Sequence, residues 1–484
     1  MYLGLDVGTS GLRALLVDDA GTVVGAAEAG YPVAHPAPGW SEQDPADWVS
    51  ACERAVAALR ETHPAEFSAL KGIGLSGQMH GATLLDASGA VLRPCILWND
   101  TRSHVEARAL DAAPGVRDLS GNIVFPGFTA PKLAWVAKHE PEVFAAVAKV
   151  LLPKDYLRYW LTGEHIGDMS DSAGTSWLDT GARDWSDALL SAGGMRRDQM
   201  PALVEGSAPG GTLRTELLKA WGLPGPVTVA GGGGDNAAAA CGAGCFRDGQ
   251  GFVSLGTSGV LLAAKDSYAP DPASAVHTFC HAVPGTWYQM GVILAATDCL
   301  NWLSRTLGQE PARLAEHVPD RIAGPSHILF LPYLSGERTP HNDSAIRATF
   351  ANVDIGDGPE QLTQAVMEGV SFALRDCHEA LKGTGTQLTR LLAVGGGTRS
   401  RGWVETLATV LGVPLDLPAK GEFGAALGAA RLAIAAVTGG PLDVIMAPPE
   451  ISETIEPRAD LTAAYDEAHA KYRALYPQMK AILT

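Results

Sequence analysis

The sequence predicts an α/β protein made of two duplicated lobes, and three observations predict it. A strand-turn-strand pattern near the start returns half a chain later, strands alternate with helical segments throughout, and 484 residues are enough for roughly two to four domains.

Taken in order, Leu3, Leu5 and Val7 alternate, a turn follows at Gly8-Thr9-Ser10-Gly11, and the chain runs from Leu12 to Val17 before a second turn at 18–21 and a strand at 22–24. Apolar alternation between glycine-rich turns reads as a hairpin continuing into a third strand. Over 45–60, Trp48, Cys52, Ala55, Val56 and Leu59 fall on one side of a helix, and Ile73-Gly74-Leu75 is a buried strand. A strand at 227–230 enters four glycines, 231–234, and then an Ala-rich helix over 235–242. At 252–255 the opening pattern recurs, followed by Gly256-Thr257-Ser258-Gly259 and Val260-Leu261-Leu262. Further on, 328–331 is another buried strand, and 392–394 leads into Gly395-Gly396-Gly397 ahead of a helix beginning near Trp403. Small residues at 421–430 repeat the texture of 235–242, and a last helix spans about 463–483. The two Ala/Gly helices lack bulky side chains, so they can approach closely and make a hinge. The lobes are accordingly placed at 1–244 and 245–484.

Composition narrows the function. With 46% hydrophobic and 18% charged residues the chain is too apolar for a disordered protein. A net charge of −17 gives no electrostatic case for nucleic acid or an anionic membrane surface. The seven cysteines are scattered without a CxxC pair and read as reduced core thiols; Cys241 and Cys245 share a helix face and read as packing. No exported or membrane-spanning segment is expected, which predicts a cytoplasmic protein.

Several segments carry chemistry. A tight turn such as Gly8-Thr9-Ser10 points successive backbone N–H groups into one concavity, suited to phosphate, with Thr9 and Ser10 adding hydroxyl donors. Gly256-Thr257-Ser258 offers the same a second time. Asp6, just before the first turn, is a candidate Mg²⁺ ligand, and Ser254 stands at its place in the second half. The glycine turn at Gly396 and Gly397 leaves room for a purine or ribose. Asp235, at a helix N-terminus after four glycines, is expected to be ionised at neutral pH and is a candidate base for phosphoryl transfer; an ordinary N-cap is the alternative. Met79 and His80 emerge at a strand end, where His80 can donate to a sugar hydroxyl and Met79 can pack on its carbons. Trp98 and Asp100 mix an aromatic face with polar groups in a way that suits carbohydrate or an ordinary loop. Gly72-Ile73-Gly74-Leu75-Ser76-Gly77 fits G-x-G-x-x-G but is itself the strand, which argues against a dinucleotide, and no P-loop motif occurs.

Together these segments resemble the FGGY carbohydrate kinases over essentially the whole chain. The likeness rests on Leu5-Asp6-Val7-Gly8-Thr9-Ser10, Trp40-Ser41-Glu42-Gln43-Asp44-Pro45, Gly77-Gln78-Met79-His80-Gly81, Trp98-Asn99-Asp100, Gly233-Gly234-Asp235-Asn236, Ser254-Leu255-Gly256-Thr257-Ser258-Gly259, Gly336-Glu337-Arg338-Thr339-Pro340 and Gly395-Gly396-Gly397. The resemblance implies ribonuclease-H-like (actin-like ATPase) lobes closing on ATP and Mg²⁺, with Asp235 as general base and Asp6 near the metal and phosphates. It implies substrate contacts from Met79, His80, Asn236, Trp98 and Asp100, and adenosine at Gly396 and Gly397. Met79-His80 stands where glycerol-phosphorylating members carry an Arg-Glu pair, which implies a ketopentose: D-xylulose, phosphorylated at its C5 hydroxyl. Another sugar of the family (ribulose, gluconate, a deoxyketose) is the nearest alternative, and an actin-like ATPase without a sugar substrate a remote one. A homodimer is an expectation from relatives.

Overall fold

The protein is described from a computed structural model, which covers residues 1–419 and 424–483. The part of the predicted small-residue segment at 421–423 lies outside the described residues.

Two sheets organise the chain. The first contains β1 (Tyr2–Val7), β2 (Gly11–Val17), β3 (Val23–Gly30), β4 (Gly72–Gly77), β5 (Pro209–Thr212) and β6 (Thr228–Ala230), in the order β5-β6-β4-β1-β2-β3. The second contains β7 (Gly251–Leu255), β8 (Gly259–Lys265), β9 (His277–Cys280), β10 (Trp287–Ile293), β11 (Leu391–Val394), β12 (Leu415–Pro418) and β13 (Ile451–Ile455), in the order β9-β10-β8-β7-β11-β12-β13. Strand directions repeat as well. β1 runs antiparallel to β2 and parallel to β4, and β7 runs antiparallel to β8 and parallel to β11. Asp6 pairs with Arg13 and Ser76; Ser254 pairs with Val260 and Val394. The duplication read at the two Gly-Thr-Ser turns therefore extends through each sheet, with Ser254 at the place of Asp6. This is the actin-like arrangement.

The helices used below are α1 (Pro45–Thr62), α2 (Pro153–Thr162), α3 (Asp235–Ala243), α4 (Thr297–Leu307), α5 (Pro359–Gly383), α6 (Arg401–Leu411), α7 (Ala425–Thr438) and α8 (Thr462–Leu483). α1 begins with Asp44 as its N-cap, whose side chain accepts from the Ala46 N–H, and buries Trp48, Cys52, Ala55, Val56 and Leu59 as the periodicity predicts. α6 begins at Arg401, two residues before the predicted start, because Ser400 caps it by accepting from the Trp403 N–H. The segment read as a dinucleotide decoy is β4, a strand buried along its length.

The two Ala/Gly helices do meet. A Cβ built on Gly428 of α7 would stand 1.7 Å from the Ala238 carbonyl oxygen of α3, so the backbones touch. α7 also does something the sequence reading did not foresee: it lies on the sheet of the other half. A Cβ on Gly4 would stand 1.9 Å from the Ala426 oxygen, and one on Gly74 1.8 Å from the Ala429 oxygen. α3 in turn shares a core with Phe252, Leu262 and Tyr288 of the second sheet. All seven cysteines are buried free thiols; burial pushes Cys241 and Cys245 up to about 12. Among the described residues, no helix is long and apolar enough to cross a membrane.

Candidate active site

Each Gly-Thr-Ser turn binds its own carbonyls backwards. In the first, the Tyr31 hydroxyl donates to the Gly8 oxygen at 2.6 Å, Gln43 Nε2 to the Thr9 oxygen at 2.6 Å, and Gln78 Nε2 to the Gly8 oxygen at 3.3 Å. In the second, Thr297 at the start of α4 donates its N–H and its Oγ1 to the Gly256 oxygen at 2.9 and 2.8 Å, while the Ala296 N–H donates to the Thr257 oxygen at 2.8 Å. A trans peptide points its N–H opposite to its C=O. With those carbonyls drawn into the lobes, the N–H groups of Thr9, Ser10, Thr257 and Ser258 face the other way, as an anion requires. Ser10, Thr257 and Ser258 are exposed. One expectation is corrected: the Thr9 hydroxyl donates inward to Gln78 Oε1 at 3.2 Å and accepts from Trp98 Nε1 at 3.0 Å, so its hydrogen is already committed.

Asp235 is the first residue of α3, with Gly234 at the N-cap position, so the N-cap alternative does not describe it. Its Oδ1 accepts from the Asn236 N–H at 2.7 Å and from Asn236 Nδ2 at 2.9 Å. The expectation that the helix end keeps it ionised at neutral pH is also corrected. Burial, followed by the nearby charge of Asp6, raises Asp235 to about 7, and the Asn236 donors only partly offset this. Burial raises Asp6 as well, opposed by Ser76 and the Arg13 charge. Asp6 Oδ1 is buried with no hydrogen-bond partner.

Met79, which precedes His80, packs against the residue before Asp235. A Cβ on Gly234 would stand 2.9 Å from Met79 Cγ, so a larger residue there would have to push the Met79 side chain aside. The Tyr288 hydroxyl, from the second sheet, reaches Met79 Sδ at 3.8 Å. His80 adopts a left-handed backbone, φ 70°, rare for a non-glycine residue. Its carbonyl is gripped by Lys132 Nζ at 2.7 Å and Thr129 Oγ1 at 3.1 Å. The ring stacks on Phe128 at 4.4 Å, and Nδ1 lies 2.7 Å from the Gly174 carbonyl oxygen. Burial, with the Lys132 charge, lowers His80 to about 3, so the ring is neutral and its one proton sits on Nδ1. Nε2 is left as an acceptor, the reverse of the donor role expected from the sequence. Asp100 is 1% exposed, with its carboxylate taken by the Ser41 N–H at 2.6 Å and by Arg102. It shapes the loop and does not present a free oxygen. Trp98 is 47% exposed and leans over Thr9.

Gly396 lines both of two cavities of about 810 and 760 Å³, and Gly397 lines the first. The first is lined by Thr297, Asn301, Gly396, Gly397, Ser400 and others; the second runs from Asn236 past Ser254 to Gly396. A Cβ on Gly396 would meet nothing within 4 Å, whereas Gly395, at φ 95°, lies under the Leu255 carbonyl. The structure thus brings together Asp6, both turns, Asp235, Asn236, Met79, His80 and the Gly396 turn. The sequence reading missed Tyr31, Gln43, Gln78, Lys132 and Thr297, which hold these groups from behind. Gln43 and Gln78 lay inside quoted motifs, but the loop carbonyls they bind are far off in sequence.

The FGGY family of carbohydrate kinases matches over 1–242 with its N-terminal domain model and over 251–437 with its C-terminal one. The xylulose kinase of Escherichia coli (strain K12) is 46% identical over the full length of both chains, and that of Klebsiella pneumoniae 49% over 90% of each. The crystal structure of a xyloylose kinase from Brucella ovis superposes with a TM-score of 0.98 at 59% identity, covering 99% of both chains. With both domain models matched in order and full-length relatives at 46% identity and more, the chain belongs to the FGGY family of carbohydrate kinases.

Proposed function

We propose that the protein is a xylulose kinase, which transfers the terminal phosphoryl group of ATP to the C5 hydroxyl of D-xylulose and releases D-xylulose 5-phosphate and ADP. The observation that carries this reading is the full-length likeness to xylulose kinases together with Met79 packed against Gly234, the residue before Asp235. Asp235 orients the attacking hydroxyl and accepts its proton as the bond to phosphorus forms; a carboxyl near 7 is matched to that task. The N–H groups of Thr9, Ser10, Thr257 and Ser258 hold phosphate oxygens, and Gly396 and Gly397 leave room for adenosine. His80 Nε2 accepts from a sugar hydroxyl, and Asn236 and the exposed Trp98 add further contacts to the sugar.

The residues fit Mg²⁺. Asp6 supplies a buried carboxylate oxygen without a partner, and among the described residues no group of three or more His, Cys, Asp or Glu could hold a metal unaided. One carboxylate completed by phosphates and water is the usual Mg²⁺ arrangement. When bound, the ion neutralises charge on the phosphates. A homodimer in the cytoplasm completes the reading: ATP and reduced thiols belong to that compartment, and light scattering tests the dimer.

The deciding experiment follows ADP and phosphosugar across free D-xylulose, D-ribulose, gluconate and glycerol. D-xylulose is expected to give the highest kcat/KM, with about one ADP per phosphosugar. Equal or better turnover of another sugar would reject the substrate assignment, and full ATPase rate without sugar would reject the kinase reading.

A further inference from the structure

Asp235 follows a run of four glycines, the residue type with the greatest backbone freedom; the sheet holds its second half, where Gly233 and Gly234 pair in parallel with Ser76 and Gly77 of β4. Both ends of the run are fastened to one buried charged cluster. At the front, Arg158 donates to the Gly231 carbonyl. At the back, the Gly234 N–H donates to Ser170 Oγ at 3.1 Å. Ser170 Oγ donates in turn to Asp168 Oδ2, which also accepts the Ser170 N–H at 2.7 Å. Asp168 Oδ1 lies 2.7 Å from Lys154 Nζ, and Lys154 also reaches Asp155 Oδ1 at 2.6 Å and Asp171 Oδ2 at 3.2 Å. Arg158 Nη2 closes the ring at 3.5 Å from Asp155 Oδ1. Lys154 and Arg158 come from α2, and a Cβ on Gly77 at the end of β4 would lie 3.1 Å from Lys154 Cβ.

All of these side chains are buried. Taking so many charges out of water costs several kcal/mol per ion, and an apolar filling of similar shape is often more stable, so stability is a poor reason for the cluster. Burial raises the Asp155 and Asp171 carboxyls alike, against the pull of Lys154. Fixing register is the best-attested use of such a group. The register fixed here is that of the peptide immediately before Asp235.

We propose that Lys154, Asp168 and Ser170 are positioning residues, a relay that aims the Asp235 carboxylate at the sugar hydroxyl through the Gly234 peptide. The proposal rests on the reading of Asp235 as the base. A base misplaced by about 1 Å loses on the order of 100-fold in rate, whereas substrate binding made elsewhere survives.

Ser170→Ala is the test, assayed beside Asp235→Asn. It is expected to lower kcat at least fivefold while the KM values for D-xylulose and MgATP each move less than threefold, and to raise the ADP formed per phosphosugar as water competes for the misaligned centre. A smaller loss of kcat, a KM change as large as that of kcat, or an unchanged ratio of products overturns the relay. If Ser170→Ala does not fold, Asp168→Asn, which keeps the shape and removes the charge facing Lys154, is judged by the same criteria. An inactive Asp235→Asn with an unimpaired Ser170→Ala rejects the relay alone; an active Asp235→Asn rejects the base and the relay with it.

Discussion

At Asp235, burial and the neighbouring Asp6 charge raise the carboxyl to about 7, so near neutral pH much of the ligand-free protein holds it protonated. Only the ionised form can accept a proton. kcat/KM for the sugar is therefore expected to rise with pH through about 7 and level off above it, in a pH-rate profile measured at saturating MgATP. Asp235→Asn is expected to lower kcat by about 100- to 10,000-fold while calorimetry shows nucleotide binding little changed. The same shift bears on stability. Between the ordinary value of 3.8 and about 7 the folded state holds this proton and the unfolded state does not, so stability falls as pH rises through that window. Asp235→Asn should accordingly melt at a higher temperature than the parent at pH 8, with the gap narrowing towards pH 4. The position of this acid was legible because a carboxylate after four glycines is a local pattern. Its protonation and the polarity of His80 were not, because Asp6 lies 229 residues before Asp235 and the Gly174 carbonyl lies far from His80 in sequence.

Among elements, the glycines divide into those that admit backbone and those that admit ligand. A Cβ on Gly74 would stand 1.8 Å from the Ala429 oxygen of α7; one on Gly396, which lines both cavities, would enter open space. Gly74→Ala is expected to cost about 1–3 kcal/mol or more, read as a lower urea midpoint. Gly396→Ala should leave that midpoint within about 0.5 kcal/mol of the parent while raising the KM for ATP. The sequence announced both Gly-Thr-Ser turns, since strand alternation and glycine spacing are local. It did not announce Gln43, Gln78 or Tyr31 behind the first turn, where side chains from three separate segments converge on two carbonyls.

Across the whole molecule, the halves are sewn together at more than the cleft. Asn122 pairs with Thr278 of β9 through both faces of its amide, at 2.8 and 3.0 Å, and Trp287 Nε1 of β10 donates to the Thr180 oxygen at 2.8 Å. Small residues at 235–242 and 425–430 made close packing readable, but composition could not say that α7 covers the opposite sheet, because alanine and glycine fit any smooth face. Expressed alone, 1–244 lacks the helix that fills the face of β1 and β4. It is expected to be aggregated or loosely folded by near-UV circular dichroism and to recover on co-expression with 245–484; a well-folded isolated fragment would contradict this. The borrowed helix also ties the fates of the two halves: α7 cannot leave its own lobe without baring the glycine trough of the other, so heat is expected to melt both sheets in one step.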